Sequence, residues 1–406
     1  MYITLAWRNI WRNKRRTFVI IAAVFTGVWS MVFLSAFARG MVDNMLENGK
    51  SVLVNDIQIH HKAYREDPSV ENSMEKVAPV TDFLDNHLSF YDRWTRRIRV
   101  SAYVSNATHS AGVSMVAIDP LKEKHMSFIG SPLFKGEYLK PGDKQGVLLG
   151  YALMNKLDTG IGKKLIIMTR NKRGKIVSKA FRIKGVFKAE MEAIEKDFVF
   201  ITMAAADNFL NMNHAVSEIS IKLAHEKKMI PLTKALKQQF SSRNLEIETW
   251  KELLPMLNAY VSIFNGFMYI WYMVVFTAMG FGIVNTSLMA VFERVREFGL
   301  LRALGMKPVR VIGSVISESI IILGIGIAAG NLFGFISIFI LHDKGLDLAV
   351  FGKGAEFFGM SRVIYPVLTI NDLVSINLII LCLGIIVSLY PAVRAAQIPP
   401  VEAMRE

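Results

Sequence analysis

Hydrophobic residues are concentrated in four long runs of the chain. Residues 18–38 carry no charge, and residues 253–292 are likewise uncharged. The third run, residues 311–341, holds one carboxylate, Glu318, and the fourth covers residues 373–393. About 20 apolar residues in a helix cross the hydrocarbon core of a bilayer. The pattern therefore predicts an α-helical membrane protein with four transmembrane helices, assigned to residues 18–40, 261–292, 311–341 and 373–393.

The region between the first two runs, residues 41–260, has a different pattern. Its short, partly alternating apolar segments are bounded by turn residues, which is typical of a soluble α+β domain. The predicted strands are residues 52–59, 98–104, 113–118, 164–169, 176–187, 198–202 and 218–223. The predicted helices are residues 80–88, 152–157, 203–211 and 226–240. The sequence Asn-Lys-Arg-Gly at residues 171–174 predicts a hairpin turn.

Basic residues beside the apolar runs predict the orientation of the chain. They precede the first run (Arg8, Arg12, Lys14, Arg15 and Arg16) and separate the second from the third (Arg294, Arg296, Arg302, Lys307 and Arg310). Lys and Arg in short loops stay on the cytoplasmic side. We therefore expect both termini and the loop at residues 293–310 to be cytoplasmic. The α+β domain and the loop at residues 342–372 are then extracytoplasmic.

Composition excludes several classes of protein. A hydrophobic content of 52% excludes a disordered chain, and the single cysteine, Cys382, excludes a disulfide framework or a multi-cysteine metal site. The net charge of +14 is not arranged as a basic face with stacking aromatics, so nucleic-acid binding is not expected. Residues 160–163, Gly-Ile-Gly-Lys, lack the spacing of a phosphate-binding loop. His60 and His61 point to opposite faces of a strand, so no metal site is predicted. The sequence contains none of the catalytic motifs sought, so no enzymatic activity is predicted.

Residues 293–306 form the most informative segment. On a helix, Phe298, Leu301 and Leu304 with Gly305 recur at steps of three and four residues and predict an apolar side. Arg294, Glu297 and Arg302 then lie on the polar side. Two interpretations are open: a helix on the lipid surface, or a rigid plug that binds a groove of another protein.

Residues 1–17 and 394–406 are two further cytoplasmic elements. The first is expected to be an amphipathic elbow helix, with Trp7 and Trp11 at the headgroup level beside basic residues (Arg8, Arg12, Arg15 and Arg16). The second follows the fourth span, which is expected to end at Pro391. Glu318 is interpreted as a solvated or helix-capping carboxylate, with a functional carboxylate as the alternative. Glycines of the second and third spans are compatible with packing inside the chain or with a dimer contact (Gly280, Gly282, Gly324, Gly326, Gly330 and Gly334).

These segments resemble the MacB/FtsX-like permeases of ABC transporters, a family that includes the lipoprotein-releasing LolC and LolE subunits. The loop matches the family's coupling segment at Arg294, Arg296, Glu297, Gly299, Leu301, Arg302, Ala303, Leu304 and Gly305. The tail matches at Pro391, Ala392, Arg394, Ala395, Ala396, Pro400, Glu402, Ala403 and Arg405, with Met404 in place of the usual leucine. Residues 150–157 and 162–165 are similar to a motif of the family's outer domain, with Lys163 replacing an acid.

The resemblance implies a MacB-type (type VII) ABC permease in the bacterial inner membrane, with its large domain in the periplasm. A separate ABC ATPase, in two copies, would bind ATP and Mg, and this chain would bind no cofactor. It would pair with a second permease as a homodimer or heterodimer. ATPase coupling is expected at Glu293, Arg294, Arg296, Glu297, Phe298, Leu301, Arg302, Leu304 and Gly305.

Three functions are compatible with that family. The first is extraction of lipoproteins from the inner membrane and transfer to a periplasmic carrier, as in LolC and LolE. The second is MacB-like efflux or export through a periplasmic adaptor. The third is FtsX-like mechanical regulation of an envelope hydrolase, for which a much smaller outer domain is expected. The size of the predicted outer domain, about 220 residues, favours the first.

Overall fold

The computed structural model describes residues 2–86, 91–130, 132–240, 244–348, 361 and 363–397. The chain divides into two compact units. The helical unit comprises residues 1–43, 260–348 and 363–406, and the sheet unit comprises residues 44–259 and 349–362.

The helices are α1 (Tyr2–Arg12), α2 (Lys14–Ser51), α3 (Ala78–Asn86), α4 (Pro120–Glu123), α5 (Tyr151–Lys156), α6 (Glu192–Asp197), α7 (Met203–Leu210), α8 (Met229–Phe240), α9 (Trp250–Leu253), α10 (Pro255–Phe292), α11 (Val295–Ala303), α12 (Pro308–Lys344) and α13 (Ile370–Gln397). The strands are β1 (Ile57–His61), β2 (Arg93–Ser105), β3 (Ser110–Ile118), β4 (Lys135–Gly136), β5 (Gly146–Gly150), β6 (Lys164–Arg170), β7 (Ile176–Phe187), β8 (Phe198–Thr202), β9 (Glu218–Lys222), β10 (Leu245–Thr249), β11 (Leu346–Asp347) and β12 (Val363–Ile364).

Four helices of the described chain are long and apolar enough to cross a membrane, namely α2, α10, α12 and α13. Each of them contains one of the four predicted transmembrane spans. Helices α2 and α10 have 38 residues each. At 1.5 Å per residue each is about 57 Å long, nearly twice the hydrocarbon thickness of about 30 Å. Both helices are therefore longer than a span alone requires.

Helix α2 continues beyond the predicted end of the first span. The α+β domain was expected to begin at residue 41, whereas α2 runs to Ser51. Val42 and Met45 remain buried on the continuing helix, three residues apart. The composition changes here from apolar to amphipathic, and that change ends an apolar run without ending a helix. The predicted strand at residues 52–59 is correspondingly wrong at its start, because β1 begins at Ile57.

Three glycines of α12 pack against three valines of α2, one helical turn apart. A Cβ atom on Gly326, Gly330 or Gly334 would lie 2.6, 2.6 and 2.7 Å from the nearest side-chain atom of Val24, Val28 and Val32. Small residues at this spacing let two helices approach closely. These contacts are made within one chain. Of the two roles that the sequence left open for the glycines, packing inside the chain therefore applies to Gly326, Gly330 and Gly334. Gly324 and Gly282 have no such neighbour within 4 Å among the described residues.

The sheet unit is built on one mixed sheet. Its strands follow the order β10-β1-β9-β2-β3-β8-β5-β7-β4, and β6 pairs with β2 and β7. Strand β8 shows why the middle of the sheet is stable: Phe198 and Phe200 enter one hydrophobic cluster, whereas Val199 and Ile201 enter the cluster on the other face. At the edge of the sheet formed by β10, helix α8 packs against β1, β9 and β10 through Leu232, Leu236 and Phe240.

Most predicted elements of the sheet unit are confirmed. Six further predicted strands correspond to β2, β3, β6, β7, β8 and β9, and the predicted helices correspond to α3, α5, α7 and, with a preceding 3-10 turn, α8. The predicted hairpin turn joins β6 to β7, and Gly174 adopts a φ of +72° there. Residues 87 and 88 of the first predicted helix lie outside the described residues. The prediction missed β4, β5 and β10, which have two to five residues.

The glycine contact of α12 is testable by adding one methyl group. Gly330→Ala places a Cβ 2.6 Å from Val28, so we expect the free energy of unfolding to fall by about 1–3 kcal/mol through overpacking. Gly324→Ala is the matched control on the same helix, where open space and higher helix propensity predict equal or greater stability. Thermal unfolding in detergent measures both. Equal effects of the two substitutions would contradict the packing.

Candidate coupling site

Helix α11 occupies the segment that the sequence singled out. It ends in a left-handed turn at Gly305, whose φ is +92°. The N–H of Met306 donates to the carbonyl of Leu301, and the N–H of Gly305 donates to the carbonyl of Arg302, both at 3.0 Å. This pair of bonds is the Schellman motif, in which glycine is favoured because other residues avoid a positive φ. Gly305 thus separates α11 from α12, which begins at Pro308.

The buried side of α11 is formed by Phe298 and Gly299. Phe298 is 2% exposed and packs in a cluster drawn from three other helices (Val291, Val311, Val315, Ala392, Ala395 and Ala396). The guanidinium of Arg294 lies over its ring at 5.0 Å from the ring centroid. Phe298 therefore fixes α11 to the rest of the helical unit.

The outward side of α11 carries the remaining leucines. Leu300, Leu301 and Leu304 are 54%, 38% and 77% exposed, and Arg296 is exposed beside them. The predicted single apolar side with Phe298, Leu301 and Leu304 is therefore wrong: Phe298 faces inward and the leucines face outward. The helical pattern alone does not distinguish a residue buried inside the chain from one that awaits a partner.

Six alternating charges form a continuous chain of ion pairs beside α11. Taken in order, they are Arg12, Glu297, Arg294, Glu318, Arg16 and Glu293. The N–O distances along this chain are 2.5, 3.1, 2.9, 3.7 and 2.9 Å. Asn13 adds a hydrogen bond of 3.4 Å to Glu293. We call these six side chains the ionic chain; it joins α1, α2, the α10–α11 turn, α11 and α12.

The middle of the ionic chain is buried and its ends are exposed. The side chains of Arg294, Glu318 and Arg16 are 10–11% exposed, whereas those of Arg12, Glu293 and Glu297 are 41–53% exposed. A buried charge is costly unless it is paired, and Glu318 is paired with two guanidiniums. The interpretation of Glu318 as a solvated or capping carboxylate is thus wrong. Arg294, expected on the polar side, also points inward.

Electrostatics keep the outer end of the ionic chain charged. Partial burial acts to raise the pKa of the Glu297 carboxyl, but hydrogen bonds from Arg12 and Arg294 outweigh it and leave this pKa below its usual range. Glu297 therefore stays ionised to a more acidic pH than a free glutamate.

The elbow helix α1 is amphipathic, as predicted. Ala6 and Ile10 are fully buried, whereas Trp7 and Trp11 are about half exposed. The two indole rings form an edge-to-face pair with centroids 5.8 Å apart. The break to α2 falls at Asn13, and the hydroxyl of Thr17 donates to the carbonyl of Ile10 at 2.6 Å across it. Arg8 and Arg15 are exposed on the surface of this corner.

The fourth long helix does not end at Pro391 as expected. Helix α13 continues through the buried Pro391 to Gln397. Proline removes one helical hydrogen bond, but Ala392, Ala395 and Ala396 beyond it are buried around Phe298, and this packing offsets the loss. Arg302, also expected on the polar side, donates to the carbonyl of Ala396 at 2.8 Å and so satisfies a terminal carbonyl of α13.

The remaining tail predictions lie partly outside the described chain. Arg394 is exposed, with its guanidinium 5.9 Å from the ring centroid of Tyr390. Glu402 and Arg405 lie outside the described residues. The structure thus brings Arg12, Arg16, Glu293, Arg294 and Glu297 together and adds Glu318 to them. The signal that could have identified Glu318 is its position as the one carboxylate in an apolar run close to two arginine clusters.

Two family models match the sequence. The MacB-like periplasmic core domain matches residues 17–239, and the FtsX-like permease C-terminal region matches residues 261–400. The first of these matches covers more than half of the 406 residues. Four residues of the ionic chain, Glu293, Arg294, Glu297 and Glu318, lie in the second matched region, whereas Arg12 and Arg16 precede the first.

Individual relatives are similar at modest identity. The chain is 23% identical over 319 residues to the lipoprotein-releasing system transmembrane protein LolC of Neisseria meningitidis serogroup B, covering 75% of each chain. It is 21% identical over 413 residues to an ABC transporter permease of Methanocaldococcus jannaschii, covering 99% of this chain and 97% of that one. It is 22% identical over 442 residues to the pyoverdine export ATP-binding/permease protein PvdT of Pseudomonas syringae pv. syringae, covering 99% of this chain and 59% of that one.

The buried part of the ionic chain is testable by a double-mutant cycle. Glu318→Ala leaves two buried guanidiniums without their shared carboxylate, so we expect unfolding to become easier by about 3–5 kcal/mol. Arg294→Ala should act similarly, and the double variant should lose less than the sum of the two single losses. Thermal unfolding in detergent gives the three values.

Arg12→Ala is the control, because its pair is exposed and should contribute less than about 1 kcal/mol. Strict additivity of Glu318→Ala and Arg294→Ala would show that the two side chains do not interact energetically.

Proposed function

The chain belongs to the family of MacB-like and FtsX-like ABC transporter permeases, and we propose that it is the membrane subunit through which a separate ATPase moves the sheet unit. The observation that carries this proposal is the division of α11 into two faces. One face is anchored by Phe298 and the ionic chain, and the other presents Leu300, Leu301 and Leu304 outward. An apolar ridge on a rigid helix is a surface that fits a groove of another protein.

ATP is bound outside these 406 residues. The sequence contains no glycine-rich phosphate-binding motif followed by lysine and serine or threonine, so the nucleotide and its Mg²⁺ are assigned to the partner. We expect two ATPase copies, one for each of two permease chains. The permease pair is a homodimer or a heterodimer, and this chain acts without catalysing a reaction itself.

The contacts around α11 support transmission of force into the long helices. A displacement of α11 acts on α12 through Arg294 and Glu318, and on α2 through Arg16. It acts on α13 through Arg302 and the cluster around Phe298. Because the ionic chain and the cluster hold these elements at several points, α11 moves with them as one body. The charged side of this assembly is cytoplasmic in our proposal, and the sheet unit is periplasmic.

Lipoprotein release from the inner membrane is the proposed work. The relative LolC supports it, because LolC is a lipoprotein-releasing system transmembrane protein and matches three quarters of the chain. In this proposal a periplasmic carrier receives the lipoprotein from the sheet unit. The long uncharged face of α10 provides an apolar surface for acyl chains or membrane lipid.

Export through an adaptor is the second candidate function. The relative PvdT favours it, because PvdT is a pyoverdine export protein and its match extends over 99% of this chain. That relative is an ATP-binding/permease protein, of which this chain covers 59%. The two candidates share the α11 surface and differ in the cargo.

The outward ridge of α11 is testable without disturbing its anchor. Leu300→Glu combined with Leu304→Glu places two charges on the ridge, so we expect copurification of the ATPase to fall at least tenfold while the chain still inserts. Lipoproteins should then remain in the inner membrane fraction, which separates release from export. Leu121→Glu, a leucine of the sheet unit that is 72% exposed, is the matched control.

Unchanged ATPase binding in the double variant would refute docking at the ridge. Loss of binding with normal lipoprotein localisation would leave docking in place and refute lipoprotein release as the work.

A further inference from the structure

A cluster of ionisable side chains lies at the edge of the sheet, far along the sequence from α11. His60 on β1 is directly opposite Glu246 on the edge strand β10, and Gln58 is opposite Glu248. Side chains two residues apart on a strand share a face, so His60, Glu246 and Glu248 lie on one side of the sheet. The other side carries Ile57, Ile59 and Ile247 of the hydrophobic core.

Both ring nitrogens of His60 face oxygen atoms. Nδ1 lies 3.1 Å from the backbone carbonyl of His61, and Nε2 lies 3.0 Å from Oε2 of Glu248. A carbonyl accepts and never donates, so Nδ1 carries the proton. In a neutral imidazole, Nε2 is then an acceptor that faces a carboxylate, which is also an acceptor. A proton shared between Nε2 and Glu248, or a metal ion, must therefore lie between these two groups.

The surroundings resemble the support that proteins give to a metal-binding histidine. Such a histidine usually donates its other N–H to a backbone carbonyl or carboxylate, which fixes the tautomer. The second oxygen of Glu248 accepts from Arg65, so that carboxylate is oriented while Oε2 stays directed at His60. His60 is 1% exposed and Glu248 is 5% exposed, whereas Glu246 is half-buried on the edge strand. The buried side of the site, formed by His60 and Glu248, is therefore held in place by hydrogen bonds, and the side formed by Glu246 is accessible to solvent.

Glu246 supplies the third ligand. Among the described residues, no side chain bonds to its carboxylate, so it is available. One ligand atom from each of His60, Glu246 and Glu248 lies within 4.8 Å of the other two. Two ligand atoms of one tetrahedral Zn²⁺ are about 3.4 Å apart, so the three ligand atoms must come closer together by up to about 1.4 Å to complete the set.

We propose that His60, Glu246 and Glu248 bind one divalent transition-metal ion, with Zn²⁺ as the reference ion. One imidazole and two carboxylates suit Zn²⁺ and leave a coordination position for water. His61 follows His60 on β1 and points to the opposite face of the strand, so it takes no part in the cluster. The missing ligands come from β10, about 190 residues later in the chain.

The ion would join the first and last strands of the sheet unit. Strand β1 follows helix α2 in the chain, and β10 precedes α9 and α10. A metal across β1 and β10 therefore fastens the edge strand to its neighbour where the chain enters and leaves the sheet. The site also borders a cavity of about 540 Å³ whose lining includes His60, Arg65, Arg99 and Glu218.

The test is isothermal titration calorimetry, in which ZnCl₂ is added to the untagged full chain in detergent and the stoichiometry and affinity of zinc binding are measured. We expect one Zn²⁺ per chain, with binding lost in His60→Gln and weakened at least tenfold in Glu246→Gln. His61→Gln is the control, because it is adjacent in sequence and outside the cluster. Zinc X-ray absorption should report one imidazole nitrogen with oxygen ligands.

If His60→Gln does not fold, thermal unfolding of the other variants with and without zinc still tests the proposal. Glu246→Gln removes no side-chain hydrogen bond or ion pair that the described residues make, so its unfolding temperature without zinc should match wild type. Zinc should raise that temperature in wild type and His61→Gln but not in Glu246→Gln. Absence of a saturable site, or equal zinc affinity in Glu246→Gln and wild type, would overturn the proposal and leave His60 and Glu248 as a hydrogen-bonded pair.

Discussion

Burying a charged carboxylate in an apolar helix costs free energy unless cationic side chains pair with it, and Glu318 pairs with two. Arg294 and Arg16 approach it at 2.9 and 3.7 Å from different helices, and all three side chains are almost buried. Removing any one of them leaves an unbalanced charge away from water. This constraint fixes the start of α2, the turn before α11 and the first part of α12 relative to one another. The exposed ends of the ionic chain extend that constraint to α1 and α11.

The ionic chain gives α11 different roles on its two faces. A helix of nine residues has little stability alone, and here it is held by Phe298 inside and by charges at its start. The outward leucines contribute little to that anchoring, so they are free to serve a partner. In the proposed coupling, a push on the leucines would act on helices that are already joined. The length of α2 and α10 would give that push a continuous helical path of about 57 Å each.

Much of this architecture could be predicted from the sequence because its signals are local. Uncharged runs identified the four long helices, and alternation identified most strands of the sheet unit. Strand β5 was missed because its three central residues, Val147, Leu148 and Leu149, are too few to give a period. The continuation of α13 through Pro391 was missed because it depends on packing of its alanines against Phe298 and other residues of α10, α11 and α12.

The candidate sites were predictable only in part, for the same reason. The segment of α11 was found from its motif, but its inward and outward faces were confused, since both are apolar. Glu318 and Arg16 are about 300 residues apart, and His60 and Glu248 are 188 apart, so each pairing depends on the fold. Only the three-dimensional arrangement of helices and of strands β1 and β10 brings these groups together.

Motion in the sheet unit on addition of ATP is the most direct measure of this account. Nitroxide labels at positions 389 and 121, one in each unit, would be introduced with Cys382→Ser, and their distance measured in the complex with the ATPase in lipid nanodiscs. The account predicts that ATP changes this distance in the otherwise native chain, and that Glu318→Gln abolishes the change while the bound ATPase still hydrolyses ATP. A distance that ATP leaves unchanged in the native chain, or that changes equally in Glu318→Gln, would contradict it.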